Sequence, residues 1–214
     1  GGCGIGWIMH HAATVPADQR SALDLVARAP GVVAGGPVTS AVFDAVSAGD
    51  TAVRVVAADG TTVARGDVLV TASGRTRDLL TAERSALNLY CHLSGVATAT
   101  AAWVSALAGS RTRVRDTRKT TPGLRVLEKY AVRCGGGVNH RMALSDAALV
   151  KDNHVIAAGG VAEAFRAVRE MWPGLPVEVE VDSLEQLDEV LAAGADLVLL
   201  DNFTPELSTG SGVY

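Results

Sequence analysis

The chain has 214 residues, of which 48% are hydrophobic and 20% charged, as in an ordinary soluble globular protein of one or two domains. Its formal net charge of −4 does not favour nucleic acid as a partner, and only 4% of the residues are aromatic. The sequence contains no bilayer-length apolar run and no pattern typical of an export signal. Three widely spaced cysteines, Cys3, Cys91 and Cys134, fit a reducing compartment. We therefore expect a cytoplasmic protein that contacts no membrane.

The first half of the chain, residues 12–77, is predicted to be rich in β-strands. β-branched residues dominate positions 51–56, Asp59-Gly60 is a turn signal, and residues 68–70 predict a further strand. Residues 79–108 then follow the helical period. We expect a break in this helix at Ser94-Gly95 and its end at Gly109.

The second half of the chain alternates predicted strands and helices. The predicted strands are residues 112–117, 147–151, 177–181 and 197–200. The helical segments include residues 124–133, a stripe from Val161 to Val168, and a helix that begins with a capping box at Ser183. This alternation implies a parallel sheet, open or closed into a barrel, and four strand–helix steps are too few for closure.

Charged residues stand at or near the carboxyl end of every predicted strand of this half. They are Arg118 and Lys119 after the first strand, Lys151 after the second, Glu178 and Glu180 within the third, and Asp201 after the fourth. Ligands of parallel α/β folds bind at the carboxyl ends of the strands. One such residue alone would be read as a structural ion pair. The set together indicates a site whose cations bind anionic substrate groups and whose carboxylates hold a divalent metal or hydroxyls.

A dipeptide, His140-Arg141, follows the glycine run at residues 135–137. The glycines match neither a P-loop nor a dinucleotide-binding pattern, and they predict a helix stop. Arg141 can bind a carboxylate through two parallel hydrogen bonds, and His140 can donate another. A basic run at residues 111–119 lacks the interleaved aromatic residues of a nucleic-acid surface.

Eight stretches resemble the quinolinate phosphoribosyltransferase family and occur in the expected order. They are residues 81–84 with 87–88, then 92–98, 116–123, 129–133, 135–141, 149–154, 178–182 and 199–202. The resemblance implies an α/β fold: an incomplete, open TIM-like α/β barrel preceded by an α+β sandwich domain. We expect the sandwich domain, with a helical connector, at residues 1–109 and the partial barrel with the active site at residues 110–214.

The resemblance also implies a reaction, the transfer of a phosphoribosyl group from phosphoribosyl pyrophosphate to quinolinate with decarboxylation. Its product is nicotinate mononucleotide in NAD biosynthesis, its cofactor is Mg²⁺, and the enzyme is a pentosyltransferase. The residues that match the family's catalytic positions are Lys119, Lys151, Glu180 and Asp201. Those that match its substrate-binding positions are Arg84, Thr117, Arg118, Lys119, His140, Arg141, Lys151, Glu180 and Asp201.

The resemblance assigns a role to each group. Arg118, His140 and Arg141 would bind the quinolinate carboxylates. Lys119 and Lys151 would lie near the quinolinate and the pyrophosphate, and Glu180 and Asp201 would hold ribose hydroxyls or Mg²⁺. Arg84 would reach into the site of a partner subunit, which implies a homodimer.

The ends of the chain depart from the family pattern. Residues 1–11 and 204–214 match nothing expected, and the Ser/Gly-rich segment that binds the ribose phosphate is not found after Asn202. The chain is therefore expected to be truncated at both ends and weakly stable or inactive. Two alternatives stay open: a catalytically inactive remnant that only dimerises, or a paralogue that acts on another pyridine carboxylate.

Overall fold

A computed structural model describes residues 11, 13–109, 112–143 and 147–203. Contacts within the chain divide it into two compact units, Gly1–His140 and Arg141–Tyr214. Each unit is described below by itself, and the domain division at residues 109/110 stays a prediction. None of the helices that the structure describes is both long enough and apolar enough to span a membrane.

The first unit contains two small antiparallel sheets. One has the strand order β1 (Arg20–Val26), β5 (Val68–Arg75), β3 (Ala52–Val55), and the other pairs β2 (Gly31–Val32) with β4 (Thr62–Val63). Apolar residues that alternate along β5, such as Val70 and Ala72, are buried under the helices of the unit. The β-rich character predicted for this region is confirmed, with one exception.

The exception is a helix, α1 (Gly36–Ser47), where the sequence analysis expected only strands and turns. Pro37 stands in its first turn, where the missing N–H costs nothing, and Phe43 is fully buried. The free N–H groups at its start, those of Gly35 and Gly36, donate to the carboxylate of Asp59 at 2.9 Å each. The capping residue therefore lies 23 positions away in sequence, where a local reading does not find it.

A single long helix, α2 (Thr76–Ala106), crosses the unit. The predicted break at Ser94-Gly95 is wrong, because the helix continues through both residues. The hydroxyl of Ser94 donates to the backbone oxygen of Ala34, and that of Thr98 accepts from the N–H of Val32 at 2.9 Å. These bonds to the segment around β2 stabilise the helix at the point where its own helix propensity is weakest.

The next helix, α3 (Arg125–Cys134), packs closely against α2. It ends at the predicted glycine run, with Gly135 as its C-cap. A Cβ atom built on Gly135 would overlap the backbone oxygen of Ala97 and lie 2.7 Å from Cβ of Thr100. The glycine therefore permits the close approach of two helices in addition to ending one of them.

The predicted strand at residues 112–117 is reduced to one parallel bridge between Arg115 and Val138. The N–H of Val138 donates to the oxygen of Val114 at 2.8 Å, and the N–H of Asp116 donates to the oxygen of Val138 at 3.1 Å. The prediction of a regular strand is wrong. The sequence located the segment but did not reveal how few backbone partners it has.

The second unit is a three-stranded parallel sheet with helices. Its elements are β6 (Ala148–Val150), α4 (Asp152–Ala158), α5 (Val161–Met171), β7 (Val177–Val181), α6 (Leu184–Ala192) and β8 (Leu197–Leu200), and the strand order is β6-β7-β8. Val179 packs with Phe165 and Leu187 in the core. This open α/β sheet, preceded by the antiparallel sheets of the first unit, confirms the predicted fold class, and the described strands form no closed barrel.

Helix α6 begins as the capping-box pattern predicts, with one change. The hydroxyl of Ser183 accepts a hydrogen bond from the N–H of Gln186 at 3.3 Å. The Gln186 side chain reaches one residue further back and accepts from the N–H of Asp182 at 3.1 Å. Both bonds satisfy donors at or just before the helix start, and they fix the turn that follows β7.

Candidate active site

The register of β6 and β7 brings two predicted site residues together. Val150 pairs with Val179 in the parallel ladder, so Lys151 and Glu180 stand one position further along neighbouring strands. The Nζ of Lys151 lies 2.9 Å from Oε2 of Glu180. The Lys151 side chain is 47% exposed and that of Glu180 only 16% exposed, so the cation remains accessible to a ligand. The structure therefore brings these two side chains together, and their role in binding stays a prediction.

The same face of the sheet also carries Asp201. Its N–H donates to the oxygen of Val181 at 2.9 Å, which fixes the residue at the carboxyl end of β8. Its carboxylate is exposed and accepts a hydrogen bond from Asn202 at 2.8 Å. Glu178 lies on this face too and is buried at 6% exposure, while the valines of β7 face the core, as strand alternation predicts.

The carboxylates of this face are oxygen donors of the kind that Mg²⁺ prefers. Across the described ranges, no three His, Cys, Asp or Glu side chains gather as a ready-made metal cage. Mg²⁺ is commonly held by one or two carboxylates together with water and substrate phosphates. Glu180 and Asp201 fit that second mode, in which the substrate supplies the remaining oxygens.

Arg141, another predicted site residue, is partly buried at the beginning of the second unit. Its Nη1 donates to the backbone oxygen of Ala147 at 2.6 Å, just before β6. This bond restricts the guanidinium, which therefore loses less conformational freedom when it binds a planar anion. Arg141 is thus held in place by the residue that precedes β6.

In the first unit, a buried cluster that the sequence analysis did not single out supports His140. The Asp116 carboxylate accepts three hydrogen bonds: from Nζ of Lys129 at 2.5 Å, from the Asn139 side chain at 2.6 Å, and from the N–H of His140 at 2.7 Å. Lys129 also donates to the backbone oxygen of His140 at 3.0 Å. The members of this cluster lie within the stretches that resemble the family, but the sequence analysis assigned no role to Asp116, Lys129 or Asn139.

The segment from Thr117 to Lys119 follows Asp116 directly. The hydroxyl of Thr117 accepts a hydrogen bond from the N–H of Lys119 at 3.0 Å. Arg125 donates to the backbone oxygen of Arg118 at 3.3 Å and holds the turn from α3. The Nε of Arg118 is buried and, within the described part of the chain, has no hydrogen-bond partner. A buried donor of this kind costs free energy unless a ligand or water satisfies it, so residues 117–119 form a candidate anion-binding turn.

A second link joins this segment to α2. Glu128 accepts a hydrogen bond from the N–H of Thr121 at 3.1 Å, and its other oxygen lies 2.8 Å from Nε2 of His92. Burial alone would raise the pKa of Glu128, but the hydrogen bonds from Thr121 and His92 outweigh it and hold this pKa below its ordinary value. The carboxylate is therefore ionised where it ties the turn to the helix.

Arg84 stands apart from these groups on the exposed side of α2. Among the described residues, none forms a hydrogen bond or ion pair with it. Lys119 is likewise exposed. The structure thus joins Lys151 with Glu180 and connects residues 117–119 with His140 through Asp116, whereas Arg84 lies outside both groups.

Two family models match the chain. The model described as the C-terminal domain of quinolinate phosphoribosyl transferase matches residues 96–209, and the N-terminal domain of the same family matches residues 9–94. Together they account for both halves of the sequence.

Individual relatives agree with the family models. A nicotinate-nucleotide pyrophosphorylase (carboxylating) of Mycobacterium leprae is 56% identical and covers 89% of this chain and 68% of its own length. A probable enzyme of the same name from Synechocystis is 46% identical over 83% of this chain and 60% of its own length. The crystal structure of NadC from Streptococcus pyogenes is 41% identical, with a TM-score of 0.88 over 96% of this chain and 76% of that one. The chain therefore spans about two thirds of the length of the curated relatives.

Proposed function

Because the chain belongs to the quinolinate phosphoribosyltransferase family, we propose that it transfers a phosphoribosyl group from phosphoribosyl pyrophosphate to quinolinate. The products are nicotinate mononucleotide, pyrophosphate and carbon dioxide, and the pathway is NAD biosynthesis. The names of the relatives give no support to the two alternatives, an inactive remnant or a paralogue for another pyridine carboxylate.

The observation that carries the proposal is the buried Nε of Arg118, for which the described residues supply no hydrogen-bond partner. A planar dicarboxylate satisfies such a donor through charge-assisted hydrogen bonds. In the proposal Arg118, His140 and Arg141 bind the quinolinate carboxylates, and Thr117 shapes the same turn. Charge-assisted hydrogen bonds contribute on the order of 1.5–3 kcal/mol each, so several of them offset the hydration of a dianion.

The reaction breaks the bond between the anomeric carbon and the pyrophosphate oxygen and forms a bond from that carbon to the quinolinate ring nitrogen. The carboxylate beside the ring nitrogen leaves as carbon dioxide, and the carbon it leaves takes up a proton. Positive charge develops on the sugar and negative charge on the leaving pyrophosphate, so fixed charges aimed at these atoms lower the barrier. We assign Lys119 and Lys151 to the anionic groups.

Glu180 and Asp201 complete the proposed machinery. Glu180 orients Lys151 through their 2.9 Å ion pair, and Asp201 offers an exposed carboxylate to ribose hydroxyls. When Mg²⁺ is bound, these two carboxylates would hold it, and the cation would neutralise charge on the pyrophosphate. Arg84 is assigned to the site of a partner subunit, so the proposed enzyme is a homodimer, and its proposed location is the cytoplasm.

The test is an assay of the full chain with quinolinate, phosphoribosyl pyrophosphate and Mg²⁺, in which nicotinate mononucleotide is separated and quantified. The proposal expects product with quinolinate and none with nicotinate. Equal turnover of nicotinate would instead favour a different pyridine carboxylate as substrate. A chain that binds quinolinate but forms no product would contradict the proposed activity. Sedimentation velocity, with and without the substrates, tests the homodimer.

A further inference from the structure

The ion pair between Lys129 and Asp116 is among the most buried polar contacts of the described residues. The Lys129 side chain is 1% exposed and that of Asp116 is 8% exposed. Neither residue is a substrate-binding residue in the function proposed above. Both charges are nevertheless kept in the interior, where each costs free energy unless it is paired and fully hydrogen-bonded.

A buried ion pair is weak evidence for a contribution to stability, because apolar residues of similar volume often replace such pairs without loss. The geometry around the pair indicates another role. Asp116 accepts from the backbone N–H of His140 at 2.7 Å, and Lys129 donates to the backbone oxygen of the same residue at 3.0 Å. Both polar backbone groups of His140 are therefore fixed by one ion pair.

Asn139 closes the arrangement. Its side-chain nitrogen donates to the second oxygen of Asp116 at 2.6 Å and to the backbone oxygen of Lys129 at 2.8 Å. Asp116 therefore has three donors besides its own backbone contacts, and it immediately precedes Thr117 and Arg118 in the chain. One buried carboxylate thus joins the beginning of the anion-binding turn to the backbone of His140.

We propose that Asp116, Lys129 and Asn139 are positioning residues that set His140 relative to Arg118 for binding a planar dicarboxylate. The inference rests on the proposed function, because quinolinate is the ligand whose carboxylates the two residues share. The group does not touch the ligand. It determines where two ligand-binding residues lie, as outer-shell residues do around metal ions.

The test compares two ligands by calorimetric titration of the full chain. Lys129→Gln removes the charge and retains a hydrogen-bonding side chain. We expect it to weaken quinolinate binding by about 10–100-fold, the range by which outer-shell residues change affinity at metal sites. The affinity for phosphoribosyl pyrophosphate should change by less than about twofold, as for two sites that do not interact. A purely structural role would weaken the binding of both ligands together.

Two further variants keep the test decisive. Asn139→Ala leaves the ion pair in place and removes one donor to Asp116, so the affinity for quinolinate should fall by a smaller factor. If Lys129→Gln does not unfold cooperatively, Asn139→Ala decides the question. Phe43→Leu changes a fully buried residue in a different cluster of the same unit and serves as a control for lost stability. Its quinolinate affinity should match that of the unsubstituted chain.

The results separate the two proposals. If the unsubstituted chain does not bind quinolinate, the proposed function fails before any variant is compared, and this inference fails with it. If the unsubstituted chain binds quinolinate and the folded variants at positions 129 and 139 bind it equally well, only the positioning role is overturned. An equal loss of affinity for quinolinate and for phosphoribosyl pyrophosphate would also overturn that role.

Discussion

The Nζ of Lys151 lies 2.9 Å from Oε2 of Glu180, because β6 and β7 pair in a parallel register that sets these two residues side by side. The carboxylate is mostly buried and the ammonium group is half-exposed. A mostly buried anion thus holds a cation that is still accessible from outside. This arrangement suits a lysine that binds an anionic ligand better than one that only stabilises the fold.

Lys151→Ala is expected to lower turnover by roughly 100-fold or more, the range seen when one fixed group that stabilises developing negative charge is removed. Stability should change by less than about 1 kcal/mol, since partly exposed ion pairs contribute little. Steady-state kinetics and thermal unfolding measure the two effects. Arg166→Ala, which removes an exposed ion pair with Glu163 in the same unit, is the matched control and should retain turnover. Near-normal transfer by Lys151→Ala would exclude the role assigned to this lysine.

Arg118→Lys is expected to weaken quinolinate binding by roughly 10–100-fold, because an ammonium group cannot reproduce the planar, two-pronged contact of a guanidinium with a carboxylate. Calorimetric titration with quinolinate measures the change. Arg113→Lys alters an exposed arginine of the same basic run and should leave the affinity unchanged. Equal losses in the two variants would indicate a diffuse effect of charge instead of a specific contact by Arg118.

Two glycine substitutions should have opposite effects on stability. Gly135→Ala places a Cβ against the backbone of Ala97 and should destabilise the fold by about 1–3 kcal/mol, as overpacking commonly does. Gly95→Ala meets no atom within 4 Å in the middle of α2 and should stabilise it by about 0.5–1 kcal/mol. Chemical denaturation compares the two variants directly. Destabilisation by Gly95→Ala would argue against a continuous helix.

The pKa of Glu128 is lowered in the folded protein, so its carboxylate contributes stability at pH values above its unfolded pKa, near the ordinary value of 4.5. This contribution is lost as the pH falls through the folded pKa. Glu128→Gln should therefore cost roughly 1 kcal/mol at neutral pH and make stability less dependent on pH below about 4.5. Melting temperatures measured from about pH 3 to about pH 7 test the expectation.

The control for this pH experiment is Glu163→Gln, which removes a carboxylate from an exposed pair. Its pH profile should follow that of the unsubstituted chain. If Glu128→Gln also follows that profile, the hydrogen bonds of Glu128 with Thr121 and His92 do not contribute to acid stability.

The sequence was most informative for the second unit. The alternation of valine and glutamate at Val177–Val181 predicted both the strand and its two faces, because one face of the strand had to be apolar. In the folded chain, the parallel register of β6 and β7 then places Lys151 beside Glu180. The rule that ligand-binding residues follow parallel strands required no knowledge of distant contacts.

The first unit was harder to predict because its decisive contacts join residues that are far apart in sequence. Asp59 caps a helix 23 positions earlier, and Lys129 pairs with Asp116, 13 positions away. Ser94-Gly95 looked like a break because local propensity is weak there, while the hydrogen bonds to Ala34 and Val32 that support the helix are formed only in the folded unit. Local patterns contain no information about such partners.

The continuity of α2 restricts how this protein can change in evolution. Deleting one residue from an α-helix shifts everything beyond it by about 1.5 Å and turns it by about 100°. The first half of α2 packs through Leu79, Ala82 and Ala86, and its second half through Ala97 against α3. A deletion between Ala86 and Ala97 would separate one of these surfaces from its neighbours. The packing of both halves of α2 therefore constrains the length of the helix.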